Sequence, residues 1–230
     1  MMKQLLIGKI SIYHSSCLPL MRKVPNDYYD LAIIDPPYGL STDMDMFGDS
    51  GTRRGKSLAK RGKYNARSWD SKSPSKQYFN ELFRISKNQI IFGANHFISK
   101  IPFDSPCWII WDKVNGDNKY ADCELAWTSF NCSAKKVKLK WHGFLQQDMK
   151  NKEARIHPTQ KPVRLYQWIY ENFATPDSKI IDTHLGSFSS AIAAHYFGCE
   201  FMGIEIDKEY FDTGLKRFKE KTLQNKINFD

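Results

Sequence analysis

The sequence predicts an α/β domain built on a largely parallel sheet. One observation is the apolar run Leu31-Ala32-Ile33-Ile34, short and bounded by polar Asp30 and Asp35, which has the composition of a strand buried on both faces. A second is the segment from Lys179 to Phe197, where an apolar strand, a glycine-containing turn and a helix-period stretch follow one another. A third is the length: 230 residues suffice for one sizeable α/β domain with a small insertion, and not for two full domains.

Taken in order, Ile10 and Ile12 alternate with Lys9, Ser11 and Tyr13 as a strand, and a short helix follows from Leu18 to Met21. The Met1–Ile12 stretch lacks the apolar core and cleavage site of an export signal, and is expected to begin the sheet. The strand 31–35 ends in Asp35-Pro36-Pro37-Tyr38. Residues 39–75 are rich in Gly, Ser and Asp and carry Arg53, Arg54, Lys56, Lys60, Arg61, Lys63 and Arg67, with no acid from Gly51 to Arg67. Such a segment is expected to be a basic flexible loop that closes over phosphates. A helix is expected over 75–86, and strands over 89–92, 107–111 and 123–130, the first ending near Asn95 and His96 and the second at Asp112. His96 is expected to be structural rather than a general base.

From Lys136 to Trp141 polar and apolar residues alternate, with Lys136, Lys138 and Lys140 on one face and Val137, Leu139 and Trp141 on the other. The lysines suit either an edge strand defended against aggregation or contact with phosphates. Residues 131–157 are accordingly expected to form a small target-recognition segment. Thr159 is expected to cap a helix with Pro162 in its first turn. Glu205, at the end of the strand 201–204, lies nineteen residues after Gly186, the spacing at which an acid grips a ribose diol, and Asp207 is expected to cap the last helix.

Composition limits the function. A net charge of +9 and a pI near 9.2 suit a polyanionic partner, and no apolar run is long enough to cross a bilayer. The five cysteines are scattered without Cys-x-x-Cys or His-x-x-x-His spacing, which predicts reduced thiols, a cytoplasmic setting and no metal site. The chemistry is argued from Asp35 to Tyr38. An exocyclic amine on a nucleobase is a poor nucleophile, and attack requires acceptors for its hydrogens. Asp35 supplies one and the Pro36 carbonyl another; Pro36 and Pro37 stiffen the turn without adding donors, and Tyr38 offers a flat face to an extruded base. The same residues would also serve as a plain Pro-Pro turn with a packed tyrosine.

The tetrapeptide resembles the catalytic motif of the amino-group DNA methyltransferases, in which an acidic first residue usually goes with adenine and a serine more often with cytosine. Two further segments strengthen the likeness. His157-Pro158-Thr159-Gln160-Lys161-Pro162 is similar to the stretch before the family's cofactor strand, which implies that Thr159 and Lys161 lie near the methionine end of S-adenosylmethionine. Asp182-Thr183-His184-Leu185-Gly186-Ser187-Phe188 is similar to the family's Asp-Pro-Phe-x-Gly-Ser-Gly turn, matching at Asp182, Gly186 and Ser187 and departing at Phe188. Phe188 is tolerable there only if its side chain points away from the cofactor. Ser16 stands where relatives often place an acid for the cofactor's adenine amine, and Asp35 borders both substrates.

The motif order, catalytic turn first and cofactor turn last, resembles the permuted β class. The resemblance implies a single methyltransferase domain over 1–230 with a Rossmann-like sheet, mostly parallel with one antiparallel strand and helices on both faces. It further implies a bacterial or phage-type adenine-N6 enzyme acting on double-stranded DNA with S-adenosylmethionine. A cytosine-N4 enzyme, a degenerate DNA-binding homologue, and a monomer or homodimer remain open at this point.

Overall fold

The computed structural model describes residues 3–39, 72–116, 121–142 and 145–223. Nine strands form the main sheet in the order β1-β2-β11-β10-β3-β4-β6-β5-β7. In chain order these are β1 (Lys3–Ile7), β2 (Ile10–His14), β3 (Tyr29–Ile34), β4 (Ser86–Phe92), β5 (Trp108–Asp112), β6 (Cys123–Thr128), β7 (Lys135–Lys138), β10 (Lys179–Asp182) and β11 (Glu200–Glu205). The remaining pair, β8 (Trp141–His142) and β9 (Leu145–Gln146), makes a separate antiparallel ribbon.

Two strands run against the others, where one was expected. β6 is antiparallel to both β4 and β5. β1 is the addition: Gly8, at φ +57°, reverses the chain so that β1 lies antiparallel on β2. The Met1–Ile12 stretch therefore holds a hairpin's first arm as well as the start of β2.

The helices are α1 (Cys17–Met21), α2 (Lys76–Ile85), α3 (Val163–Phe173), α4 (Ser189–Phe197) and α5 (Lys208–Leu223). They lie on both faces, and strand alternation assigns each face its own core. Leu31 and Ile33 of β3 pack in the cluster that contains Leu165, Tyr166 and Ile169 of α3, Ile192 of α4 and Phe211 and Phe218 of α5. Ala32 and Ile34 pack in the other, with Met21 of α1 and Phe79, Leu82 and Ile85 of α2. All four β3 residues are buried, each large one contributing about 1.5–3 kcal/mol.

The crossovers set the position of the site. From β10 the chain passes through α4 to β11 on one side; from β3 it reaches β4 on the other, after α2. β10 and β3 are parallel neighbours, Ile180 opposite Leu31 and Ile181 opposite Ala32. Their carboxyl ends flank the point where the winding changes direction, which is where ligands enter such sheets.

Two expected boundaries move. The helix after the His157 segment begins at Val163, with Pro162 in the N-cap position, so Thr159 is not its cap. Pro162 has no side-chain acceptor, and the Val163 N–H is instead taken by the Glu153 carboxylate at 3.1 Å. The alternation from Lys136 leaves the sheet after Lys138, and Trp141 is drawn into the ribbon, where its indole N–H donates to the Gln160 carbonyl at 2.9 Å. Asp207 does cap α5, its carboxylate accepting from the Glu209 and Tyr210 amides. Cys132 is exposed, with its Sγ 3.1 Å from that of buried Cys107.

Phe188 occupies the residue before α4 at φ +64°, a left-handed conformation unusual for a side chain of this size. Its ring is fully buried against α5, where a Cβ on Gly214 would stand 2.2 Å from it. Backbone strain and packing therefore oppose each other. Relief of a left-handed residue gains about 1 kcal/mol, whereas an emptied phenylalanine site costs about 3–5 kcal/mol. Phe188→Gly is expected to destabilise the fold by a net ~2–4 kcal/mol, read as a lowered urea midpoint at unchanged slope. An unchanged or raised midpoint would show that strain dominates.

Candidate active site

Asp35 directly follows β3, with Pro36 buried and Pro37 and Tyr38 half-buried behind it. Tyr38 donates to Asp35 Oδ1 at 2.9 Å, and its ring stacks on His96 with centroids 5.0 Å apart and planes at 17°. Exposed His96 thus covers one face of the ring predicted to receive a base. Gly93 makes room for the arrangement: its φ is +65°, and a Cβ there would lie 2.1 Å from the Tyr38 ring.

The other oxygen of Asp35 is taken by Lys161, at 2.5 Å. Lys161 also lies 3.1 Å from Glu124 Oε2, while Glu124 Oε1 pairs with Lys113 at 2.6 Å. Asp35, Lys161, Glu124 and Lys113 form a chain of alternating charge, in which the Lys161 side chain is only 2% exposed. The Lys161 ammonium sits over the Phe92 ring at 4.6 Å, a cation–π contact.

Burial would push Lys161 down, but Asp35 and then Glu124 outweigh it and hold the ammonium above the ordinary lysine range. Burial likewise pushes Glu124 up, and Lys161 and Lys113 reverse this to a lowered carboxyl. At Asp35 burial prevails over Lys161, so this carboxyl is raised. The two carboxyls are thus shifted in opposite directions, Asp35 up and Glu124 down.

The second wall is the turn after β10. Asp182 is buried and accepts from Ser190 Oγ at 2.5 Å and from the His184 amide at 3.0 Å. Burial pushes its carboxyl up to about 7, and burial lowers His184 to about 4. Gly186, at φ +50°, donates its amide to Glu205 Oε2 at 2.7 Å, and Glu205 Oε1 accepts from the Asp207 amide. Gly186 and Glu205, each expected at the cofactor, are bonded to one another. Ser187 is buried, its hydroxyl 3.0 Å from that of Ser189. Ser16 is exposed beside this pair, because the Ser15 amide donates to the Glu205 carbonyl.

Of the His157 segment, His157 packs against Tyr210, ring centroids 4.2 Å apart and planes tilted by 58°, and lies 3.7 Å from where a Gly186 Cβ would be. Thr159 is exposed, with its hydroxyl 3.1 Å from His157 Nδ1, and Lys161 is committed to the two carboxylates. Lys136 and Lys138 are exposed on the edge strand β7, Lys136 pairing with Asp112 at 2.9 Å, and Lys140 is half-buried. Arg53, Arg54, Lys56, Lys60, Arg61 and Lys63 lie outside the described residues. Among the described residues no group of His, Cys, Asp and Glu could hold a metal, and no helix is long and apolar enough to cross a membrane.

Sequence reasoning missed two residues. Glu124 opens an antiparallel strand, and so lies at the edge where the parallel strands end. Arg217 sits in the charged run of α5 but is buried, donating to the Ser187 carbonyl at 2.5 Å, to Ser189 Oγ at 3.0 Å and to Glu153. It braces the Ser187 turn and joins it to the carboxylate that caps α3.

Residues 100–216, just over half of the chain, match the N6/N4 DNA methylase family. The chain belongs to that family. Its cofactor is S-adenosylmethionine. The type II methyltransferase M.HinfI of Haemophilus influenzae is 21% identical over 91% of this chain and 68% of its own length. The DNA adenine methyltransferase YhdJ of Escherichia coli is 41% identical over 28% of this chain and 22% of its own. In structure, the methylase resembles the M1.HpyAVI–SAM complex, with 25% identity, a TM-score of 0.53, and coverage of 90% of this chain and 99% of that one. The cytosine-N4-specific PvuII methyltransferase shares the fold at 11% identity and a TM-score of 0.57, covering 94% and 92%.

The methylase's own residues fit the cofactor: a left-handed glycine after a strand, a buried carboxylate at the end of the neighbouring strand, and a Phe188 ring turned into the core, away from the crevice.

Two expectations follow. Asp182 has a raised folded pKa, so the folded state binds a proton that the unfolded state releases, and its stabilising contribution is lost as pH rises from about 4 through about 7. Asp182→Asn should remove this decline, so that the variant's unfolding free energy gains on wild type across that window in paired urea titrations. Gly93→Ala should destabilise the fold by about 1–3 kcal/mol through clash and left-handed strain, and the loss should shrink in a Tyr38→Ala background, where the ring it strikes is gone.

Proposed function

We propose that this methylase transfers a methyl group to the N6 amine of adenine in double-stranded DNA, after the base has been turned out of the helix. The observation that carries the reading is an acidic residue, Asp35, directly after β3 and paired with Lys161, at the same sheet edge as the turn that follows the parallel neighbour β10.

Bound S-adenosylmethionine supplies a methyl group on a sulfonium centre, with a good leaving group. The chain's share is alignment. Asp35 and the Pro36 carbonyl accept the two amine hydrogens, turning the nitrogen lone pair toward the methyl. Pro36 and Pro37 add no competing donor, and the Gly93 gap holds the Tyr38 ring beside them. Extruding the base costs a few kcal/mol, offset by phosphate contacts for which Lys138 and the Arg53–Lys63 cluster are the candidates. On the cofactor side, Glu205 would hold the ribose diol and Ser16 the adenine amine, and the Asp182–Ser187 turn, Thr159 and Lys161 would hold the rest.

The name of the E. coli adenine methyltransferase supports adenine; the cytosine-N4 name of the PvuII neighbour supports the second reading, which needs the same acceptors. Incubation of the purified chain with labelled S-adenosylmethionine and unmethylated genomic DNA, followed by digestion to nucleosides, distinguishes them. The label should appear in N6-methyldeoxyadenosine, and Asp35→Ala should lower incorporation at least ~100-fold. Label in N4-methyldeoxycytidine would overturn the adenine assignment, and undiminished incorporation by the variant would overturn the role of Asp35.

A further inference from the structure

Both oxygens of Asp35 are already engaged, Oδ1 by the Tyr38 hydroxyl at 2.9 Å and Oδ2 by Lys161 at 2.5 Å. An amine that is to donate to Asp35 must therefore displace one of them. Tyr38 is the less able to yield, because its ring is stacked on His96 and lies tight over Gly93. Lys161 rides on a flexible stem, yet its side chain is 2% exposed and has no route to water that keeps it solvated. Its charge needs another buried acceptor.

Such an acceptor is present. Glu124 Oε2 is buried and already ion-paired with the Lys161 ammonium at 3.1 Å, though without a well-aligned hydrogen bond, whereas Oε1 is held by Lys113. We propose that Glu124 is a positioning residue that takes Lys161 over from Asp35 as the target amine arrives, keeping the cation paired while Asp35 Oδ2 is freed for the amine. The inference rests on the methyltransferase reading. Charge stays balanced throughout, since Lys161 exchanges one carboxylate for another and Lys113 continues to neutralise Glu124.

The groups facing Lys161 are Asp35 and Tyr38 from the catalytic turn and Glu124 from β6; Lys113 reaches it through Glu124, and Tyr166 of α3 and Asp182 of β10 act on Asp35. Without Glu124, Lys161 remains on Asp35 until it loses its proton, which gives the proposal a signature.

The test is Glu124→Gln, assayed with labelled S-adenosylmethionine and unmethylated genomic DNA, with cofactor affinity measured by calorimetry and folding by thermal unfolding. The expected result is cofactor affinity within about twofold of wild type, turnover lowered roughly 10- to 100-fold, and recovery toward wild type as the pH is raised until Lys161 loses its proton and releases Asp35. Turnover equal to wild type overturns the proposal. So does a loss that follows cofactor affinity, or one with no alkaline recovery, since either marks a structural role. Wild type that transfers no methyl to DNA overturns the functional reading, and the proposal with it, and is told apart from these outcomes because the variant is not needed to see it.

Discussion

The contact between Lys161 and Asp35 is the constraint on which the crevice depends. It joins the turn after β3 to the segment before α3, which are far apart in sequence, and buries both charges. A buried ammonium without a partner costs several kcal/mol, so the segment from His157 to Pro162 has one acceptable position, closed over the carboxyl edge of the sheet. Trp141, which donates to the Gln160 carbonyl, and His157, packed on Tyr210, fix the same segment from either side. The ion pair is costly as a stabilising device and informative as a positioning one.

A second buried pair works behind the cofactor turn. Arg217 binds the Ser187 carbonyl and Glu153, and Glu153 accepts the first amide of α3. Burial raises the Glu153 carboxyl against the pull of Arg217 and lowers the Arg217 guanidinium against that of Glu153. The Ser187 turn and the helix that follows the His157 segment are thus tied to one buried ion pair.

Much of this was legible in the sequence because parallel strands end together. Apolar runs closing on Asp35, Asp182 and Glu205 place their acids on one edge without knowledge of strand order, and the Gly186–Glu205 spacing held to a direct 2.7 Å bond. Glu124 escaped because periodicity gives no strand direction: a residue that opens an antiparallel strand reaches the same edge as residues that close parallel ones. Arg217 escaped because its neighbours Lys216, Lys219 and Lys221 give α5 a solvated appearance that its buried face does not share. Thr159 misled because its hydroxyl had a nearer partner in His157 than any helix amide, and Gly8 because a single left-handed residue converts one strand into a hairpin.

The two cores carry a consequence for how such a chain can vary. The Phe188 ring is accommodated at Gly214, within the layer formed by α3, α4 and α5, whereas Tyr38, Phe97 and Phe79 belong to the layer on the opposite face. The space for the Phe188 ring is left by Gly214 and the space for the Tyr38 ring by Gly93, so each face of the sheet has its own tolerance for a bulky side chain, set by a different glycine.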